Sequence, residues 1–304
     1  MITDMASLRA AARSRAGTLR LAVVAATDAA SVRAALDARQ EGLAEPVLFG
    51  NAEAIRAQLE AMGEADGAPE IVPCDTPEAA ARAAAQRAGR AEVDVILKGM
   101  VSTAAVLHAV LDREHHLRTG SILSDVRIYE HPFQPGRLLG LTDGGVTPVP
   151  TREQRRQILH NAVRVFHRLG VARPRVALLA AAEKATEAIP HTVEARTLAT
   201  ELSRDSALPC AVDGPLSFDL AVIPEAARLK GYTSEVAGRA EILVGPNIET
   251  INVLAKAVTY LGGVPSGQVV MGARVPVVIS SRADHADVKL NSVALAALVL
   301  GGHG

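Results

Sequence analysis

Residues 19–49, LRLAVVAATDAASVRAALDARQEGLAEPVLF, set out the organisation of the whole chain. The apolar run Leu19–Ala26 reads as a buried strand. From about Asp28 to Gln40 the pattern changes to an amphipathic helix, and Pro46–Phe49 returns to a strand. A helix over Ala52–Met62, a strand over Glu70–Pro73, a helix capped by Asp75 or Thr76, and an apolar strand over Val93–Leu97 continue the alternation. Strands alternating with helices of this length predict an α/β fold with a mostly parallel sheet covered on both faces.

The stretch Thr142–Thr151, TDGGVTPVPT, concentrates turn-forming residues and reads as a hinge, followed by a helix over about Arg152–Leu169. Beyond it lies a second alternating layer. Its strands read at Arg175–Ala181, Ala211–Asp213 and Glu241–Val244, and its helices at Thr192–Ser203, from Ser217, and at Ile248–Leu261. A second Gly/Pro-rich segment, Gly262–Gly267, precedes a strand at Val275–Ile279 and a closing helix at about Asp284–Leu300. Two hinges bracketing the second layer predict two doubly wound domains, with residues 148–267 inserted between 1–147 and 268–304.

Composition excludes several classes. The formal net charge is -1, and the 32 basic residues are spread out, which argues against a nucleic-acid or anionic-membrane partner. Aromatic residues make up 2% and Trp is absent, so base-stacking platforms are not expected. Cys74 and Cys210 are too few for a disulfide framework and lack C-x-x-C spacing, consistent with a cytoplasmic location. The Ala/Arg-rich start contains Asp4, unlike a targeting helix, and no apolar stretch reaches the roughly 20 residues of a membrane span. The G-x-G-x-x-G, H-E-x-x-H and G-x-S-x-G patterns are missing, and the nine His are scattered without metal spacing.

Ligands of open α/β sheets bind beyond the carboxyl ends of the strands, so the strand-to-helix turns hold the candidate residues. In VPVVISSRADHADVK, residues 275–289, an apolar strand runs into Ser281 and Arg282 just before a helix opens. A helix start offers free N–H groups and a positive dipole end; Arg282 adds a planar fork for phosphate, and Ser281 a hydroxyl for an oxyanion. Equally, Ser281 reads as a simple cap with Arg282 solvated. Asp213 in DGPLSFDLAV is a possible ligand contact, although Asp-Gly-Pro is also ordinary turn chemistry. Lys98 follows a strand in LKGMVST, without the spacing of a phosphate loop, and is one of only five lysines, with Lys184, Lys230, Lys256 and Lys289. Arg118 and Ser121 in LRTGSILSDV, and Asn247 in GPNIETINVLAK, are candidates for lining a cleft or for plain loop and cap duties.

With these segments together, the chain resembles the phosphate acetyltransferase and phosphate butyryltransferase family. The resemblance runs from about Val93 onward and is densest in LRTGSILSDV, LLGLTD, VDGPLSFDLAV, KGYTSEVAGRAEILVGPNIE and VPVVISSRADHADVK. The DGPLSFDLAV and SSRAD wording is closer to the butyryltransferase branch. The resemblance implies a reversible phosphate acyltransferase: an enzyme that transfers a short acyl group, butyryl or acetyl, between coenzyme A and inorganic phosphate in a ternary complex. It implies acyl-CoA, phosphate and acyl phosphate as partners, CoA as a substrate, and no bound cofactor or metal. It also implies a homodimer or larger homo-oligomer, and an interdomain cleft in an isocitrate/isopropylmalate dehydrogenase-like architecture. Ser281 and Arg282 would sit at the phosphate and carbonyl, and Asp287 would be the base for the CoA thiol, with Asp284 the other carboxylate in range. Lys98, Arg118, Ser121, Asp213 and Asn247 would bind substrate. Thr250 and Ile251 stand where the family commonly has Ala and Gly. The alternatives are an acyl-carrier-protein phosphate transacylase and a catalytically silent acyl-CoA-binding scaffold of the same fold.

Overall fold

The computed structural model describes every residue except Ala16, Ala65, Asp66, Ser206, Ala207, Arg282, Ala283 and residues 301–304. The chain begins with α1 (Met5–Arg13), β1 (Leu19–Val24), α2 (Ala29–Gln40), β2 (Ala44–Gly50), α3 (Ala52–Ala61), β3 (Glu70–Pro73), α4 (Pro77–Gly89), β4 (Val95–Lys98) and α5 (Thr103–Leu111). Next come β5 (Ser124–Glu130), β6 (Leu138–Thr142), α6 (Arg152–Arg168), β7 (Arg175–Leu179), α7 (Pro190–Leu202), β8 (Ala211–Leu216), α8 (Phe218–Val222) and α9 (Pro224–Leu229). It ends with β9 (Ile242–Val244), α10 (Ile248–Tyr260), β10 (Ser266–Met271), β11 (Val277–Val278) and α11 (Ala286–Val299).

Two compact units result, one of Met5–Ser121 with Gly267–Gly304 and one of Met1–Asp4 with Ile122–Ser266. The C-terminal segment from Gly267 clusters with Met5–Ser121. The β5–β6 hairpin, which the sequence reading puts with the first domain, falls in the other unit because β6 pairs in parallel with β9.

In the C-terminally completed unit the strand order is β3-β2-β1-β4-β11-β10. All pairings are parallel except that of β10 with β11. The helices form where local chemistry dictates: Asp28, Asn51, Thr76 and Ser102 each accept a main-chain N–H in the first turn of α2, α3, α4 and α5. Each such cap contributes about 1 kcal/mol. Alanines on the inner faces of α2 (Ala34, Ala35, Ala38) and α4 (Ala80, Ala84, Ala88) are buried, as are Leu21, Val23 and Val24 of β1 and the valines and leucines of β2 and β4. Small helix residues let the backbone approach the sheet closely, which fits a core with so few aromatic side chains. The Ala/Arg-rich start is a packed element: α1 buries Met5, Leu8 and Ala12, and Arg9 donates to Asn291 on α11 (3.1 Å). Arg15 donates to the carbonyls of Ala297, Leu298 and Leu300, satisfying the carboxyl end of α11.

In the other unit the order is β5-β6-β9-β7-β8, with only the β5–β6 pairing antiparallel. Its core is built on Tyr129, Leu139, Leu141, Leu216, Leu220, Leu243 and Ile251. A capping box of Thr151 and Gln154 starts α6. The Gly-rich loop after β6 is held by Asp143, whose carboxylate accepts the N–H groups of Asp125, Gly145, Val146 and Thr147 at 2.9–3.2 Å. Burial pushes the Asp143 carboxyl up, and these four hydrogen bonds oppose that shift.

Two segments differ from the sequence reading. The supposed hinge at 262–267 runs directly into β10, whose six residues are all buried. The strand expected over 275–279 shortens to Val277–Val278, because at Ser280 the chain leaves the sheet for the loop that precedes α11.

Candidate active site

Five helices of the C-terminally completed unit open beyond the carboxyl ends of parallel strands: α2 after β1, α3 after β2, α4 after β3, α5 after β4 and α11 after β11. That end collects positive helix-dipole ends and suits an anion. The first turns of α2, α3, α4 and α5 already have a side-chain cap. The α11 N-cap, His285, makes no side-chain cap hydrogen bond, so in this group α11 is the helix whose first amides no cap side chain takes.

The chain brings Lys98 and Ser281 to this same end. Because Val277 pairs with Ile96 and Val278 with Leu97, the residues after β11 emerge beside Lys98 and Gly99. Gly99 passes so close to β1 that a Cβ would lie 2.6 Å from the carbonyl oxygens of both Val24 and Ala25, which only glycine tolerates. Its N–H donates to Val24 O (2.8 Å), and this close seam fixes where Lys98 sits. Lys98 is 7% exposed, and its Nζ donates to Gly99 O (3.2 Å).

Ser281 is exposed and its main chain is tied down. Its N–H donates to Asp284 Oδ2 (2.8 Å), and its carbonyl accepts from Asp284 N (3.1 Å) and from Lys289 Nζ (3.3 Å). Lys289 also donates to Asp284 O (2.9 Å). Both Asp284 and Lys289 are nearly inaccessible, at 4% and 3% exposure. Burial lowers the Lys289 pKa, and the nearby Asp284 and Asp28 carboxylates oppose that shift. Ser280, just before Ser281, is buried with a hydroxyl that has no hydrogen-bond partner. Arg282 lies outside the described residues.

The two carboxylates of the closing segment are thereby separated by environment. Asp284 is buried and holds the Ser281 amide. Asp287 is exposed on the first turn of α11, and across from it burial pushes the Asp37 carboxyl of α2 up, with Arg33 opposing and Asp287 adding to the shift.

Other expected residues fall elsewhere. Arg118 bridges Ala273, and Thr119 Oγ1 donates to Gly272 O (2.6 Å), so this segment pairs with the chain before β11, whereas Ser281 follows it. Ser121 continues from there, its N–H donating to Thr119 Oγ1 (3.3 Å). In the other unit, Asp213 lies on β8. Its carboxylate accepts the Gly214 N–H (2.7 Å) and the Tyr232 hydroxyl (3.2 Å to Oδ2). Asn247 caps α10: its Oδ1 accepts both the N–H (3.0 Å) and the hydroxyl (2.7 Å) of Thr250. Thr250 therefore reinforces a cap. Ile251 is a core residue, 1% exposed, that fills the space where Cβ atoms on Gly144 and Gly245 would otherwise sit.

Lys289 is the residue that sequence reasoning passed over. Its signal was its rarity, one of five lysines among 32 basic residues, but nothing in the letters told which main-chain atoms it would reach. Among the described residues no group of three or more His, Cys, Asp or Glu side chains is placed to hold a metal ion. Nor is any described helix long and apolar enough to cross a membrane.

Known proteins were compared with this chain. A family model described as "Phosphate acetyl/butaryl transferase" matches residues 76–297. The phosphate butyryltransferase of Clostridium acetobutylicum is 38% identical over 283 residues, covering 93% of this chain and 93% of that protein. The phosphate acetyltransferase of Thermotoga maritima is 38% identical over 279 residues, covering 92% of this chain and 94% of that protein. The crystal structure of a branched-chain phosphotransacylase from Enterococcus faecalis V583 superposes with a TM-score of 0.81 at 28% identity, covering 93% of this chain and 99% of that one.

Proposed function

Because this chain belongs to the phosphate acetyl/butyryl transferase family, we propose that it moves a short acyl group reversibly between coenzyme A and inorganic phosphate, with its chemistry at the start of α11. It is an acyltransferase, and acyl-CoA, phosphate and acyl phosphate are its proposed substrates and products. The observation that carries the siting is the Ser281 loop. It emerges at the carboxyl end of β11, is pinned by two buried charged residues, and stands before a helix whose N-cap residue, His285, makes no side-chain cap hydrogen bond.

In the direction of acyl-CoA synthesis, Asp287 takes the thiol proton of CoA and the thiolate attacks the carbonyl carbon of acyl phosphate. Ser281 donates to the oxyanion of the tetrahedral intermediate, which collapses with loss of phosphate to leave acyl-CoA. Arg282 grips the phosphate with its planar fork. Lys98, at the same strand ends, contributes positive charge toward the phosphate. Asp287 is assigned the base role over Asp284 because a carboxylate 4% exposed and holding an amide is not free to meet a thiol. Arg118, Ser121, Asp213 and Asn247 are assigned to substrate binding.

The reaction needs no resident metal or prosthetic group, since CoA enters as a substrate. A cytoplasmic location accords with two free cysteines whose thiols burial pushes up, Cys210 to about 11. The test is to mix the protein with phosphate and a series of acyl-CoAs and follow free thiol. Release with short chains is expected, and its absence across the whole series would refute the assignment.

A homodimer or larger assembly is also proposed, through the outer face of α10. There Val253 and Tyr260, with Leu261 just beyond, are 67%, 54% and 88% exposed, while Ile251, Leu254 and Val258 pack inward. An apolar stripe of this kind marks a protein contact. Replacing Val253 and Leu261 together by Glu should shift the sedimenting species to the monomer. An unchanged sedimentation coefficient would place the contact elsewhere.

A further inference from the structure

We infer that Lys289 is a positioning residue for the acyl-transfer site, acting through Ser281 by holding the carbonyls of Ser281 and Asp284 in one fixed arrangement. The inference rests on the assignment of Ser281 as oxyanion donor.

The geometry is specific. The ammonium donates to Ser281 O (3.3 Å) and Asp284 O (2.9 Å), while Asp284 meets Ser281 twice, once with its carboxylate and once with its N–H. Four hydrogen bonds thus link these three residues, and Ser281 itself is exposed. Lys289 itself cannot be a catalytic residue in this arrangement, since its side chain is shut away from solvent between α11 and the loop. Its neighbours on α11 are engaged elsewhere: Ser292 Oγ accepts the Gln268 N–H (2.9 Å) on β10, and Asn291 accepts from Arg9 (3.1 Å) on α1. Lys289 is directed at the loop.

A buried ammonium is costly, because desolvation is repaid only by good partners. Burial pushes the Lys289 pKa down, and the Asp284 and Asp28 carboxylates oppose that shift. An uncharged side chain of similar length would not incur that penalty, but it would leave the buried Asp284 carboxylate without its neighbouring cation. What the lysine does that an apolar side chain cannot is bond two carbonyls at once. A hydroxyl that stabilises a developing charge must be held to within a fraction of an ångström, and a misplacement of about 1 Å can cost 10²-fold in rate.

The experiment compares Lys289→Met, Ser281→Ala and the double variant in the acyl-CoA and phosphate assay, with thermal unfolding of each. Lys289→Met is expected to lower Tm by several degrees, because it leaves the buried Asp284 carboxylate without the neighbouring ammonium, and to lower kcat by roughly 10²-fold, with KM for CoA unchanged within about twofold. If Lys289 acts through Ser281, the double variant should fall within about threefold of Ser281→Ala alone, because there is no hydroxyl left to position. Losses that multiply in the double variant would overturn the inference. So would a near-native rate in Lys289→Met alongside an impaired Ser281→Ala, and that pattern would leave the site assignment standing. A native rate in Ser281→Ala would remove both. Should Lys289→Met fail to fold, Lys289→Gln, which keeps an N–H donor, takes its place in the cycle with a smaller expected loss and the same criterion of non-additivity.

Discussion

Replacing Ser281 by Ala is expected to lower kcat by about 10²–10³-fold, the usual consequence of losing one oxyanion donor. The fold is expected to tolerate the change, because the hydrogen bonds of the Ser281 main-chain N–H and carbonyl survive the substitution. Unfolding temperature and KM for CoA should therefore stay at parental values while turnover falls. A variant with near-native kcat in both directions would exclude the hydroxyl from the chemistry.

The second large effect concerns the paired carboxylates. Asp287→Asn should lower kcat by about 10²–10⁴-fold as the thiol base is lost, with an unchanged Tm since the side chain is exposed. Asp284→Asn should behave in the opposite order. It keeps an oxygen for the Ser281 N–H but strips the negative charge nearest a buried ammonium, so Tm should drop by several degrees. Collapse of kcat in Asp284→Asn with Tm unaltered would transfer the base role to that residue.

These two carboxylates show where a sequence stops being legible. Asp284 and Asp287 are three residues apart beside the same helix start, and the preference for Asp287 came from the family resemblance, with Asp284 left in range. Folding buries one against the Ser281 amide and leaves the other in solvent. Asn247 shows the reverse case, since its cap on α10 depends only on Thr250 three residues later, and the plain cap reading already contained the outcome. Ile251 lies between the two. Its bulk was visible as a departure from the family's usual glycine, but its place in the core, against Gly144 and Gly245, depended on a loop more than a hundred positions earlier.

The same division runs through the architecture. The alternation of strand and helix periods, the caps at Asp28, Asn51, Thr76 and Ser102, and the Ser-Arg segment before the last helix are properties of neighbouring residues, so the sequence by itself determined them. Strand partners are another matter. That β11 lies along β4, that the β5–β6 hairpin joins β9, and that Lys289 reaches two carbonyls of the preceding loop were decided only in three dimensions. Helix periods and caps draw on energies between residues three or four apart, whereas burial and strand pairing draw on surfaces supplied by distant segments, which exist only once the chain has folded.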